Sequence, residues 1–180
     1  MAEPGLLLRK CPTGALIQLA GWRDDFASAA QPILGRLGFA GIGDFTHAQA
    51  AGEALCFRIA PERLLLRLAS PAAWQAVADA VDPALTPFLD LSHARTVFRI
   101  EGADAAHLLA RLLPIDFGDD SFGLDRFVQS SIHSVAVLVH RRADSGAVRV
   151  FELHVPSTFA ASIREFIAES ATPFGCRVEE

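Results

Sequence analysis

Thr96-Val97-Phe98-Arg99-Ile100-Glu101-Gly102-Ala103-Asp104-Ala105-Ala106-His107-Leu108-Leu109-Ala110-Arg111-Leu112-Leu113-Pro114 is the stretch that decides the fold. Thr96 to Glu101 reads as a strand ending at Gly102, and a helix follows from about Ala103 to Leu113. Pro114 stops that helix because it has no N–H to donate and its ring clashes with the preceding turn. Downstream, a polar loop from Gly118 to Gly123 leads to strands at 127–132 and 135–140. Ala143-Asp144-Ser145-Gly146 then makes a turn into a strand at 148–155, and Pro156-Ser157 precedes a helix to about Ala168.

Upstream the order is the same. Ala15-Leu16-Ile17-Gln18-Leu19-Ala20 reads as a strand ending at Gly21. Asp24 or Asp25 can cap a helix through about Leu37, with Phe26, Ala30, Ile33 and Leu37 near one face. Residues 38–52, rich in Gly and Ala, read as a loop. Strands at 54–60 and 64–68 flank the turn Pro61-Glu62-Arg63. Ser70-Pro71 supplies a cap and a first-turn proline for a helix over 72–81, where Trp74, Val77 and Val81 share a face. A connector, Asp82 to Pro87, joins the halves.

Strand–helix–strand–strand–helix thus occurs twice, over about 14–82 and 95–170. Gly21 corresponds to Gly102, and Pro71 with Trp74 to Pro156 with Phe159. The expected fold is α+β: a single domain of two related, ferredoxin-like halves, each with helices on one face of a mixed or antiparallel sheet. Chance agreement of element order is the competing explanation.

The 180 residues are 51% apolar, with a mean hydropathy of +0.30. Either both faces of a sheet are buried, or an apolar patch is exposed for a partner. No apolar run approaches the roughly 18–20 residues of a membrane span. The start, Met1-Ala2-Glu3-Pro4-Gly5, lacks the pattern of a secretory signal, so a cytoplasmic location is expected. Cys11, Cys56 and Cys176 are odd in number and widely spaced, which argues against a disulfide framework, a zinc site or a redox pair; Cys56 is expected to lie buried in a strand. The net charge of −5 disfavours nucleic acid. Basic residues are almost all Arg, with Lys10 the only lysine. Interface preference and codon bias both account for that.

Chemistry-bearing motifs are missing. His47, His93, His107, His133, His140 and His154 show no metal-binding spacing. Gly38, Gly41 and Gly43 follow a helix, where a dinucleotide fingerprint needs a strand. Asp90, Ser92 and His93 lack a nucleophile elbow and read as turn residues. Asp116, Asp119, Asp120 and Asp125 lack calcium-loop order and read as a solvated connector. No catalytic residue and no metal ligand is therefore assigned. Strand alternation places Gln129, Ser131 and His133 on one face and Val128, Ser130 and Ile132 on the other. That polar stripe either lines a cleft or subunit contact, or faces solvent.

Three segments carry a family resemblance. Leu89-Asp90-Leu91-Ser92-His93-Ala94-Arg95 runs into Phe98-Arg99-Ile100-Glu101-Gly102-Ala103-Asp104-Ala105, and Leu108-Leu109 into Leu113-Pro114-Ile115-Asp116. This order resembles the folate-binding-domain superfamily of glycine-cleavage aminomethyltransferases. Arg58-Ile59-Ala60-Pro61-Glu62-Arg63 and Ser92-His93-Ala94-Arg95-Thr96, with Leu113-Pro114-Ile115-Asp116, narrow it: the chain resembles the gamma subunit of heterotetrameric sarcosine oxidase from Leu16 to Gly175.

That resemblance implies an assembly that oxidatively demethylates sarcosine to glycine and passes the one-carbon unit to tetrahydrofolate. It implies alpha, beta and delta subunits as partners. It places FAD, FMN, NAD, zinc and tetrahydrofolate on those partners and no cofactor on this chain. An obligate subunit made alone is expected either to self-associate as a homo-oligomer or to expose apolar surface. The chain departs from the transferases: it is too short for their additional C-terminal domain, and Arg141-Arg142-Ala143-Asp144 lacks their Asp pair. It also has no tyrosine for the motif of the related iron–sulfur maintenance proteins. The alternative is a stand-alone module holding a folate-like ligand in a cleft lined by Arg95, Gln129 or His133. A third reading is an enzyme of unrecognised type.

Overall fold

The computed structural model describes residues 5–145 and 148–179. The chain divides into two compact units, Thr13–His93 and Met1–Pro12 together with Ala94–Glu180.

Within Thr13–His93, the first strand, Ala15–Ala20 (here β2, since Leu6–Cys11 forms β1), is buried at four of its six positions. Helix α1 (Phe26–Arg36) buries Phe26, Ala30, Ile33 and Leu34, which share one helical face. A 3-10 turn, Arg23–Asp25, leads into α1. Asp25 occupies the N-cap position without a side-chain cap bond, so the expected acidic cap is not made. Pro32 lies inside α1, and burial of Ile33 and Leu34 carries the helix past the hydrogen bond it removes.

Strands β3 (Gln49–Ala51), β4 (Ala54–Ala60) and β5 (Arg63–Leu68) form an antiparallel meander, and β5 returns to pair with β2. Helix α2 (Pro71–Ala78) starts as its sequence indicates: Ser70 Oγ accepts from the Ala73 N–H at 3.3 Å, and Pro71 fills the first turn. It stops three residues short of the expected Val81. Strand β6 (Phe88–Asp90) pairs with the free side of β2. The sheet order β3-β4-β5-β2-β6 is that of a βαββαβ ferredoxin-like unit with β3 added at one edge.

The second unit repeats the plan. Strand β7 (Arg95–Gly102) is followed by α3 (Ala105–Leu112), then by the meander β8 (Phe127–Ile132), β9 (Val135–Ser145) and β10 (Val148–Pro156), which returns to β7. Helix α4 (Ala160–Ala171) and β11 (Cys176–Glu179) close it. The order is β11-β1-β7-β10-β9-β8. The place β6 takes beside β2 is taken beside β7 by β1, from the opposite end of the chain. Strand β11 pairs parallel to β1, so this sheet is mixed and the other is antiparallel. Leu108, Leu109, Ile163 and Ile167 pack on Phe98, Ile100, Phe151, Leu153 and Val155.

The two corresponding glycines each relieve a close approach. A Cβ on Gly102 (φ +148°) would stand 2.2 Å from the Gly5 carbonyl oxygen, and one on Gly21 would stand 2.2 Å from the Phe26 ring.

The loop before β8 is more than the solvated connector expected. Phe117 and Phe122 within it are buried and meet the Phe151 ring at centroid distances of 5.8 and 6.3 Å. Asp116 accepts from the Gly118 N–H at 2.9 Å and the Ser121 hydroxyl at 2.6 Å. Asp119 accepts from Arg141 at 3.0 Å and also from Arg149. These bonds hold both carboxyls below the usual carboxylate range, the Ser121 hydroxyl contributing most at Asp116 and Arg141 most at Asp119.

Candidate functional site

The six-stranded sheet carries apolar side chains toward its helices and gathers its charged ones, among apolar neighbours, on its other face. Register places Arg9, Arg99, Glu152, His140 and Phe127 directly across from one another along β1-β7-β10-β9-β8. The adjacent row contains Leu7, Glu101, Val150 and Arg142.

Glu152 is fully buried. Arg99 donates to its Oε1 through Nη2 at 2.7 Å and Nε at 3.2 Å, and Arg142 Nε lies 3.9 Å from Oε2. Arg9 bonds Glu101 at 2.7 Å, and Arg99 Nη1 lies 3.7 Å from the same carboxylate. Burial works against the charge on Arg99, but the hydrogen bond and charge of Glu152 outweigh it and raise the guanidinium above its ordinary value. Each of these carboxylates faces two guanidinium groups. The ladder therefore fixes strand register rather than presenting an open acid or base.

The residues singled out from sequence do not converge. Gln129 and Ser131 lie on this same face but are exposed, on the edge strand β8, which fits the solvent-facing alternative. His133 is not part of their stripe. The strand ends at Ile132, His133 sits in the hairpin turn with φ +53°, and its ring meets Phe166 of α4 at 4.4 Å. Arg95 stands on β7, opposite Pro156 and three strand spacings from β8, roughly 14 Å. Burial depresses its guanidinium below the ordinary arginine value. Among the described residues, no group of three or more His, Cys, Asp or Glu is arranged to hold a metal ion.

Asp90 and Ser92 form a local tie. Asp90 Oδ1 accepts from the Ser92 N–H at 2.8 Å and its hydroxyl at 2.5 Å, while Ser92 Oγ accepts from the Leu16 N–H at 3.0 Å. The Ser92 hydroxyl, then its N–H, lowers the Asp90 carboxyl below its usual range. This pair anchors the end of β6 to β2.

Beside that anchor lies a feature the sequence reading missed. All three residues of β6 are exposed on the outermost strand of its sheet. Ala20 N–H donates to the Pro87 carbonyl at 2.9 Å, so the segment leaving β2 runs beside the one entering β6. Trp22 is 70% exposed and Leu89 55%, and Leu85 and Phe88 are exposed with them. Phe88 leans edge-on against Trp74 with ring centroids 5.0 Å apart. Phe88 and Leu89 alternate along the strand, Phe88 on the Trp74 side and Leu89 on the other, so both faces of this sheet edge carry exposed apolar side chains. The pair Phe88-Leu89, directly after the connector, was the signal for it.

No protein-family model and no curated protein matches this sequence. Solved structures do match the fold. One is a chain of the heterotetrameric sarcosine oxidase from Corynebacterium sp. U-96, in complex with pyrrole 2-carboxylate: TM-score 0.82, 18% identity, covering 99% of this chain and 90% of that one. Another is the glycine cleavage system aminomethyltransferase T from Bartonella henselae: TM-score 0.67, 16% identity, covering 98% of this chain and 48% of that one. The fold is therefore that of the two kinds of protein whose motifs the sequence resembles. This chain spans about half the transferase's length.

Proposed function

We propose that this chain is a non-catalytic, gamma-type subunit of a heterotetrameric sarcosine oxidase-like complex in the cytoplasm, acting through subunit contacts. The observation that carries the reading is the fold likeness, which runs over nearly the full length of both chains when the neighbour is a member of a heterotetrameric oxidase. The exposed apolar residues Trp22, Leu85, Phe88 and Leu89, around the outer edge at β6, are where a partner docks. Burying such side chains against a partner contributes about 1.5–3 kcal/mol each, and obligate interfaces resemble a core cut in two.

On this reading the alpha, beta and delta partners hold FAD, FMN, NAD, zinc and tetrahydrofolate. The assembly oxidises sarcosine to glycine and transfers the one-carbon unit to tetrahydrofolate. The charged ladder keeps this subunit's larger sheet in register.

Co-expression with alpha- and beta-type flavoprotein chains tests the proposal. The tagged chain retains both partners, with flavin only on them, and Trp22→Asp or Leu89→Asp lowers their recovery. A chain that stays monomeric, retains no partner and is stabilised by tetrahydrofolate would instead be the stand-alone binding module.

A further inference from the structure

A cleft of about 360 Å³ opens in the unit that contains β7, between the start of α4 and the ends of β1 and β7. Its size lies within the range of small-molecule sites. Lys10 of β1 and Arg164 of α4 line it, with Thr96 and Phe98 of β7 and Ala160 and Ala161 from the first turn of α4. Lys10 is the only lysine among 16 basic residues. Among the described residues, neither Lys10 nor Arg164 is ion-paired to a carboxylate. Among the described residues, the one carboxylate that lines the cleft, Glu179, is already engaged by Arg177 at 2.8 Å. Two uncommitted cations therefore face a concave site whose remaining wall is largely apolar. The first turn of α4, entered from a 3-10 turn at Ser157–Phe159, forms one side of the cleft.

We propose that this cleft binds a small organic monocarboxylate. Lys10 and Arg164 hold the carboxylate, and Phe98, Ala160 and Ala161 receive its apolar body. Arg164 supplies directed hydrogen bonds from a planar fork, whereas Lys10 supplies a mobile point charge. The apolar wall selects against a fully hydrated inorganic anion, which has nothing to bury there.

The single lysine makes the test direct. Reductive methylation with ¹³C-formaldehyde labels Lys10 and the terminal amine while keeping their charge. Benzoate is then titrated into the full-length protein at constant ionic strength. The Lys10 methyl resonance is expected to move along a saturating curve. Arg164→Gln is expected to weaken the apparent Kd by at least about tenfold, the effect of one charge-assisted contact. Ala161→Glu, at an exposed position, places a carboxylate at the rim and is expected to abolish the shift without disturbing the core. A non-saturating drift, an unchanged response in both variants, or an equal response to inorganic phosphate overturns the proposal.

Discussion

Arg99 and Glu152 stand directly opposite each other on β7 and β10, joined by two hydrogen bonds of 2.7 and 3.2 Å to a single carboxylate oxygen. The carboxylate is buried and the guanidinium about a quarter exposed. Removing the arginine takes both bonds from a buried carboxylate, to which Arg142, 3.9 Å away, is a weaker neighbour. Arg99→Met is therefore expected to cost about 2–4 kcal/mol. Chemical denaturation of Arg99→Met, Glu152→Met and the double variant checks this. The double variant recovers much of the loss, since the arginine's value lies in compensating Glu152. Strictly additive losses would contradict it.

Gly102 ends β7 with φ +148° against the Gly5 carbonyl oxygen. Gly102→Ala forces a side chain into both a disfavoured backbone conformation and a backbone contact that cannot swing away. The expected loss is above about 2 kcal/mol. Gly35→Ala is the control: its Cβ meets nothing within 4 Å, and helix propensity predicts a gain of up to about 1 kcal/mol. Thermal unfolding of the two variants should move in opposite directions.

Cys56, enclosed in β4, has its thiol pushed up to about 12 by burial. At pH 8 it is almost wholly protonated and shielded, so it resists alkylation in the native protein. Cys176 is only partly buried, with its thiol raised by the same cause to a lesser degree. Iodoacetamide labelling followed by peptide mapping is expected to modify Cys176 first, and Cys56 only in denaturant.

Asp44 accepts from the backbone N–H groups of Thr46 and His47, each at 2.7 Å, which hold its carboxyl at about 2. An unfolded aspartate titrates near 4. The turn's contribution to stability is thus fully present above about pH 4 and is lost as pH falls toward 2. The carboxyl is largely exposed, so the global effect is small. Carboxyl ¹³C NMR should show a midpoint near 2, with the Thr46 and His47 amide signals moving along the same curve. A midpoint near 4 would show that the turn does not form.

Much of the fold was legible because its segments carry local signals. Ala15–Ala20, Ala54–Ala60 and Phe127–Ile132 are bounded by turn residues, and Ser70-Pro71 and Pro114 mark helix ends. Strands β1, β3, β6 and β11 were not read, β3 falling at the end of the stretch 38–52 that reads as a loop. They lie outside the repeated pattern, and β6 and β11 are short, so only pairing to a distant strand makes them strands. The charged ladder was also hidden. Arg9, Arg99 and Glu152 are far apart in sequence, and register alone brings them together. The polar stripe failed at His133 because alternation was carried one residue past the strand's end, where a positive φ turns the side chain toward α4.

The central claim is membership in a larger assembly. Its most direct test is the mass, by analytical ultracentrifugation, of the chain co-expressed with alpha-, beta- and delta-type partners. The account predicts that the 19.3 kDa chain sediments wholly within one heterotetramer, at one copy per complex. A chain that sediments alone, while its partners form a complete flavin-containing complex without it, would contradict the account.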